Sequence, residues 1–205
     1  VTFADGREIS CADFGVGVTN RIKLTAELGE GVEYIVTIPA KDGISMRHSY
    51  TVFTKHPFSV FRLEVKNEGT APVEIAKINP VIVPPGSLKG LGPNSTVNLR
   101  RFIMHGPCAV YSPEAVPYAV IINDPDAKAT LAMGSLTNGR ADATADLQPF
   151  SGAWQGSIVN AFDPAVRLEP GQTLQSEPAF LCLSMPQPSD VDLYYAQAHI
   201  NFPKP

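Results

Sequence analysis

Short extended segments, each bounded by proline or glycine, recur along the whole chain. The 205 residues include 19 prolines and 16 glycines. Segment 58–67, FSVFRLEVKN, places Phe61, Leu63 and Val65 on one face of a strand and charged residues on the other. Similar segments follow at intervals of about 8–12 residues, which is typical of a sandwich or barrel. The pattern predicts an all-β fold in a single domain.

Two turn signals support this prediction. KDG at 41–43 lies between the alternating segments VEYIVTIPA and ISMRHSYTVF, and it indicates a β-hairpin. In LEPGQTLQSEPAFLCL, Pro170 and Gly171 form a tight turn, because proline fixes φ and glycine tolerates a positive φ. Glu177 follows between two extended pieces, where it is either a catalytic acid or part of a structural corner.

Three stretches lack the alternating pattern of the predicted strands. PPGSLKGLGPNST at 84–96 is rich in proline, glycine and serine and reads as a long loop, a kind of segment that is often functional. RADATADLQPFSGAW at 140–154 is a second polar stretch of small residues. SDVDLYYAQAHI at 189–200 has helical character, with Ser189 as an N-cap.

Charge and cysteine content exclude several classes of function. The net charge is −4 and the pI is about 5.5, without a basic cluster, which argues against nucleic acid. No apolar run approaches the roughly 18 residues that span a membrane. Cys11, Cys108 and Cys182 are far apart and form no CxxC motif, so a zinc site is not expected. Three buried thiols are favoured over one distant disulfide.

The histidines and carboxylates form no recognisable catalytic pattern. Two histidines and a glutamate would allow sugar mutarotation, with one histidine as base and another as acid. The alternative places the histidines on the surface or in satisfied positions of a sandwich. Asp124 and Asp126 flank Pro125 and read as a turn rather than a cation site. The histidines are His48, His56, His105 and His199, and the glutamates considered for glycoside hydrolysis are Glu64, Glu74, Glu114, Glu169 and Glu177.

Trp154 is the only tryptophan, and it lies in the polar stretch 140–154. An indole ring in a loop can serve as a platform for a sugar ring, which makes Trp154 the one candidate ligand-binding residue. The alternative is a core or interface residue.

The order of segments from about 30 to 200 resembles the opening of α-galactosidases of glycoside hydrolase family 36. The pattern F-R-x-x-V-x-N-x-G is matched by Phe61, Arg62, Val65, Asn67 and Gly69. LAMGSLT at 131–137 is similar to a glycine-containing strand late in the sandwich of those enzymes. LEPGQTLQSEPAFL at 168–181 is similar to its closing segment, and DLYYAQAH at 192–199 to the helix that leads into the catalytic barrel.

The resemblance implies a large antiparallel two-sheet supersandwich, galactose mutarotase-like, with a short C-terminal helix. It implies one domain over 1–200 and a tail or linker over 201–205. The catalytic aspartates of those enzymes lie in a barrel that this chain lacks, so no catalytic residue, cofactor or metal is implied. Glu177 then corresponds to a structural corner.

The expected function is a non-catalytic accessory domain of a glycoside hydrolase-like protein. Such a domain packs on a catalytic (β/α)8 barrel in the same longer chain, and the 84–96 loop is the candidate to shape the substrate cleft. The alternatives are a free-standing carbohydrate-binding module, a mutarotase-like sugar epimerase and a purely structural assembly domain. Export to the periplasm or outside the cell fits a glycosidase-like protein best.

Overall fold

A computed structural model describes residues 1–14, 17–26, 29–55, 58–87, 100–104, 119–124, 129–137, 139–150 and 153–183. These residues form strands, with one 3-10 turn at Cys11–Asp13 that Ser10 caps. The strands are β1 (Thr2–Phe3), β2 (Val18–Ala26), β3 (Gly29–Lys41), β4 (Ile44–Phe53), β5 (Phe58–Asn67), β6 (Val73–Ser87), β7 (Arg100–Met104), β8 (Ala119–Asp124), β9 (Ala129–Ser135), β10 (Asp142–Phe150), β11 (Ala153–Leu168), β12 (Thr173–Gln175) and β13 (Ala179–Leu183).

The strands form two antiparallel sheets. The small sheet has the order β1-β6-β11-β10. The large sheet has the order β2-β3-β4-β5-β13-β9-β8-β7, and β12 pairs with β5 beside β13. This confirms the predicted all-β, two-sheet fold. The predicted C-terminal helix and the tail 201–205 lie outside the described residues.

The hairpin between β3 and β4 has the predicted turn. Asp42 and Gly43 both have positive φ, at 52° and 77°. Two consecutive left-handed residues match the twist of the flanking strands and suit an Asp-Gly pair. A Cβ atom at Gly43 would also lie 3.1 Å from the Cα of Gly69, so both the turn and the neighbouring backbone favour glycine here.

Most of the polar stretch 140–154 forms strands, which corrects the sequence interpretation: β10 occupies Asp142–Phe150, and β11 begins at Ala153. In β10, Ala143, Ala145 and Leu147 are at most 4% exposed, whereas Gln148 is exposed. The residues alternate with a period of two, but the buried ones are mostly alanine, so the hydrophobic signal is weak. The predicted loop 84–96 also begins later, because β6 continues to Ser87; residues 88–96 lie outside the described ranges.

The space between the sheets contains the main apolar core. Successive side chains along a strand lie on opposite faces of the large sheet. One face carries inter-sheet residues such as Leu63 and Met133, while the other carries a second buried cluster. That outer cluster consists of Phe53, Val60, Ala119, Ala132, Leu136, Phe180 and Cys182, all at most 6% exposed. The large sheet is therefore buried on both faces around β5, β13 and β9, whereas β2 is mostly exposed.

Asn67, at the end of β5, joins the two sheets through its side chain. Its Nδ2 donates to the carbonyl oxygens of Ala71 at 2.9 Å and Leu168 at 3.0 Å, and its Oδ1 accepts from the amide of Gly69 at 3.0 Å. The backbone of Asn67 also pairs with Gly171 and with Gln172. The asparagine of the F-R-x-x-V-x-N-x-G segment thus contacts the closing LEPGQ segment.

We expect Asn67→Ala to destabilise the fold by about 2–4 kcal/mol, because one buried carbonyl, one partly buried carbonyl and one amide would lose their partner. Denaturant unfolding followed by far-UV circular dichroism measures this loss. Asn20→Ala, at an exposed position of β2, is the matched control and should change the free energy of unfolding by less than about 0.5 kcal/mol. Equal effects of the two substitutions would contradict this role of Asn67.

Candidate functional site

Glu177 is a buried carboxylate whose partners lie between β9 of the large sheet and β10 of the small sheet. It is 1% exposed and lies between β12 and β13. The hydroxyl of Thr137 donates to Oε2, and the backbone amide of Arg140 donates to Oε1. The amide of Ala141 also donates to Oε1, at 3.3 Å. Both carboxylate oxygens are therefore occupied by protein donors.

Asn160 and Ser176 complete this corner. The amide of Glu177 donates to Oδ1 of Asn160, in β11, at 2.8 Å. Ser176 pairs with Leu63 in both directions: its amide donates to the Leu63 carbonyl at 2.8 Å, and its Oγ accepts from the Leu63 amide at 3.0 Å. A general acid must reach the leaving group of the substrate. The geometry of Glu177 is instead that of a structural carboxylate bonded to backbone amides, as the sequence resemblance implied.

Trp154 lies in β11 and not in a loop, which corrects its assigned location. Its side chain is 3% exposed and packs in the inter-sheet core with Val83, Leu147 and Ile158. A ring buried in this way becomes available to a sugar only if its neighbours move aside. The role of Trp154 as a sugar platform stays a prediction, and its surroundings are those of a core residue.

His48 is the histidine of the described region, and it lies beside a row of aromatic rings. Its Nε2 is 3.1 Å from the carbonyl oxygen of Pro80. Tyr34 and Tyr50 stack with ring centroids 4.9 Å apart, and Phe61 lies 6.2 Å from Tyr50 and 6.1 Å from His48. Burial lowers the pKa of His48, and the bond to Pro80 offsets part of that shift. The imidazole therefore favours its neutral form and is already bonded to backbone.

The other candidate residues are not brought together. Glu64 pairs with Arg47 at 3.1 Å, Glu169 pairs with Arg167 at 2.8 Å, and Glu74 is exposed on β6. Asp124 ends β8. The remaining candidates fall outside the described residues: His56, His105, His199, Glu114 and Asp126.

Among the described residues, no group of three or more histidine, cysteine or acidic side chains is placed to hold a metal ion. No helix in the described part of the chain is long and apolar enough to cross a membrane. Cys11 is exposed, which corrects the expectation of three buried thiols. Cys182 is buried and free, and burial raises its pKa to about 11, whereas Cys108 lies outside the described ranges.

An open pocket of about 430 Å³ lies on the outer face of the small sheet. The sequence did not predict it, because segment 140–154, which supplies part of its wall, was interpreted as a loop. The signal that was missed is the alternation of small apolar and polar residues in β10. We call this the small-sheet pocket, and its polar lining residues are Asn79, Asp146, Gln148, Gln155 and Ser157.

Comparison with known proteins gives matches at the level of structure. The sequence matches no protein-family model and no curated protein. The GH36 α-galactosidase AgaA from Geobacillus stearothermophilus has a TM-score of 0.56 at 9% identity, covering 90% of this chain and 29% of that enzyme. The α-galactosidase from Lactobacillus brevis has a TM-score of 0.60 at 10% identity, covering 97% of this chain and 30% of that enzyme.

The same fold also occurs outside proteins named as glycosidases. A TPR-domain containing protein from Parabacteroides distasonis has a TM-score of 0.52 at 9% identity, covering 83% of this chain and 35% of that protein. The resemblance to GH36 α-galactosidases is therefore confirmed for the fold. The chain spans less than a third of the length of the α-galactosidases that it matches.

We expect Glu177→Gln to lower the free energy of unfolding by about 2–4 kcal/mol. The substitution replaces one accepting oxygen with an NH2 group that faces protein donors, and it removes the charge that strengthens the remaining bonds. Glu74→Gln, on the exposed face of β6, is the control and should have an effect below about 0.5 kcal/mol in urea unfolding. A fully stable Glu177→Gln variant would contradict the structural role.

We expect the stability of the protein to depend on pH through His48. Its native pKa lies below the ordinary 6.5, so the unfolded chain binds a proton at higher pH than the folded chain does. Stability therefore falls as the pH drops from 6.5 towards the native pKa, and then levels off. Unfolding of the parent protein and of His48→Gln between pH 7.5 and pH 5, about the range of histidine titration, measures the difference. Identical slopes would show that His48 does not contribute.

Proposed function

We propose that this chain is a non-catalytic accessory domain of a longer glycosidase-like protein, in which it packs on a catalytic barrel. The observation that carries the proposal is the extent of the structural match. About nine-tenths of this chain corresponds to under a third of a GH36 α-galactosidase. That proportion suits a domain that accompanies the catalytic part of such an enzyme.

The chemistry of the described residues supports a non-catalytic role. Glu177 has both carboxylate oxygens bonded to protein donors. His48 is bonded to a backbone carbonyl, and Glu64 is paired with Arg47. A glycosidase needs two carboxyl groups that face each other across a cleft, about 5–10 Å apart. Of the glutamates considered for hydrolysis, Glu64 and Glu74 lie on strands, whereas Glu169 and Glu177 lie in turns or between strands.

The segment that follows β6 is proposed to shape the substrate cleft of the barrel. Residues 88–96 contain three glycines or prolines and follow a strand of the small sheet. Deleting this segment from the longer protein should change kcat/KM or the choice among galactosides while the barrel stays folded. Unchanged kinetics would refute the cleft-shaping role without affecting the packing role.

The packing role is tested by reconstitution. The catalytic part should be prepared without this domain, and its melting temperature and its hydrolysis of an aryl α-galactoside measured before and after the 205-residue chain is added. We expect the chain alone to hydrolyse nothing above the buffer rate, and the catalytic part to gain stability on its addition. Hydrolysis by the chain alone, or a gene product with no catalytic part, would refute the proposal.

The TPR-containing structural neighbour favours a second candidate function, that of a purely structural assembly domain. In that case the parent protein would have no glycosidase activity. The same assay distinguishes the two candidates, because the remainder of an assembly protein would hydrolyse no aryl α-galactoside, with or without this chain.

A further inference from the structure

We infer that the small-sheet pocket binds a neutral, hydroxyl-rich ligand, namely a saccharide. This site lies on this chain itself and does not depend on a catalytic barrel. The inference rests on the register of three strands, on the chemistry of the lining residues and on an unsatisfied polar atom at the pocket.

Strand register places the polar side chains side by side. Asp146 of β10 is directly opposite Ser157 of β11, which in turn is opposite Ile82 of β6. Gln148 and Gln155 form the next opposite pair. Directly opposite residues in antiparallel strands have Cβ atoms about 4.5–5.5 Å apart, so these groups converge on one patch. The alternate residues, such as Leu147 and Ile158, face the inter-sheet core.

The lining residues suit hydroxyl groups rather than charged ligands. A carboxylate, three primary amides and one hydroxyl provide both donors and acceptors within one sugar-sized area. No lysine, arginine or histidine occurs among the described lining residues, which disfavours phosphates and carboxylates. Ile82 is 57% exposed and offers an apolar surface to the C–H face of a sugar ring. The volume of about 430 Å³ lies within the usual range of roughly 300–1,000 Å³ for small-molecule pockets.

Asn79 gives independent support for a ligand. It lines the pocket, yet its Oδ1 is buried and accepts no hydrogen bond from any residue that the structure describes. Buried polar atoms are nearly always bonded, and an unpaired one costs about 1–3 kcal/mol. A ligand hydroxyl in the pocket could satisfy this oxygen after a small rotation of the side-chain amide. Gln148, by contrast, is already oriented by its bond to Oδ2 of Asp146 at 2.5 Å.

The test is two-dimensional ¹H–¹⁵N NMR of the 205-residue chain during titration with neutral mono-, di- and trisaccharides, galactosides included. The side-chain NH2 signals of Asn79, Gln148 and Gln155 report directly on the pocket. We expect these signals to shift together and to saturate with one Kd, in the range of about 0.1–10 mM because the described lining has no aromatic ring to add affinity.

Asp146→Ala should weaken binding at least roughly tenfold, since a ligand hydroxyl would lose its carboxylate acceptor. Asp142→Ala is the matched control: this carboxylate lies on the same face of β10, but outside the pocket lining. It should leave Kd unchanged. If Asp146→Ala fails to fold, Gln155→Ala and Asp146→Asn provide the same comparison.

Two results would overturn the inference. The first is the absence of any saturable shift with every saccharide at its highest soluble concentration. The second is binding that shifts signals elsewhere, such as those near Trp154 or the Tyr34–Tyr50 pair, while the three amide side chains stay unchanged. Either result leaves the accessory-domain proposal standing, because reconstitution measures the stability of the catalytic part and not saccharide binding by this chain.

Discussion

The fold depends on two buried polar networks, one around Glu177 and one around Asn67, which fix the position of one sheet against the other. We call the two networks together the corner. Asn67 ends β5, and Glu177 lies between β12 and β13 of the large sheet. Their partners Asn160 and Leu168 lie in β11 of the small sheet, and Ala141 immediately precedes β10. Hydrophobic burial is non-directional and tolerates sliding of one sheet over the other. Hydrogen bonds to a buried carboxylate do not tolerate such sliding, because any displacement of the sheets leaves unpaired polar groups away from water.

This corner also explains how the chain rejoins the large sheet after forming β10 and β11 of the small sheet. The turn at Pro170-Gly171 reverses the chain, and Gly171 has a φ of 84°. The next residues pair with β5 first as β12 and then as β13, and Ser176 bonds to Leu63 between these two strands. One side of β5 is thereby covered along most of its length. An open sheet edge, which would invite pairing with other chains, is avoided at this position.

Much of the architecture could be predicted from the sequence, because the strands with large apolar residues show their alternation directly. β5 was recognised from Phe61, Leu63 and Val65, and the β3–β4 hairpin from Asp42-Gly43. β10 was missed because its inward residues are mostly alanine, which resembles the composition of a loop. The location of Trp154 was wrong for the same reason, since its strand pairs with β10.

The candidate sites were less predictable because they depend on contacts between distant segments. That Glu177 accepts from Thr137 and Arg140 cannot be deduced from spacing, since about forty residues separate them in the chain. The small-sheet pocket likewise needs the register of β6, β10 and β11, which single-strand patterns do not provide. The motif resemblance pointed to the corner correctly, as its asparagine and its glutamate both belong to it.

Native-state hydrogen exchange of the intact chain tests the central claim most directly. The amides of Ala141, Leu63 and Gly171 are bonded within the corner, whereas the amide of Met133 lies in a strand of the inter-sheet core. If the corner fixes the two sheets, its amides should exchange only through global unfolding, with free energies within about 1 kcal/mol of that of Met133. Exchange of the corner amides through local opening, several kcal/mol below that level while the core stays protected, would contradict the account.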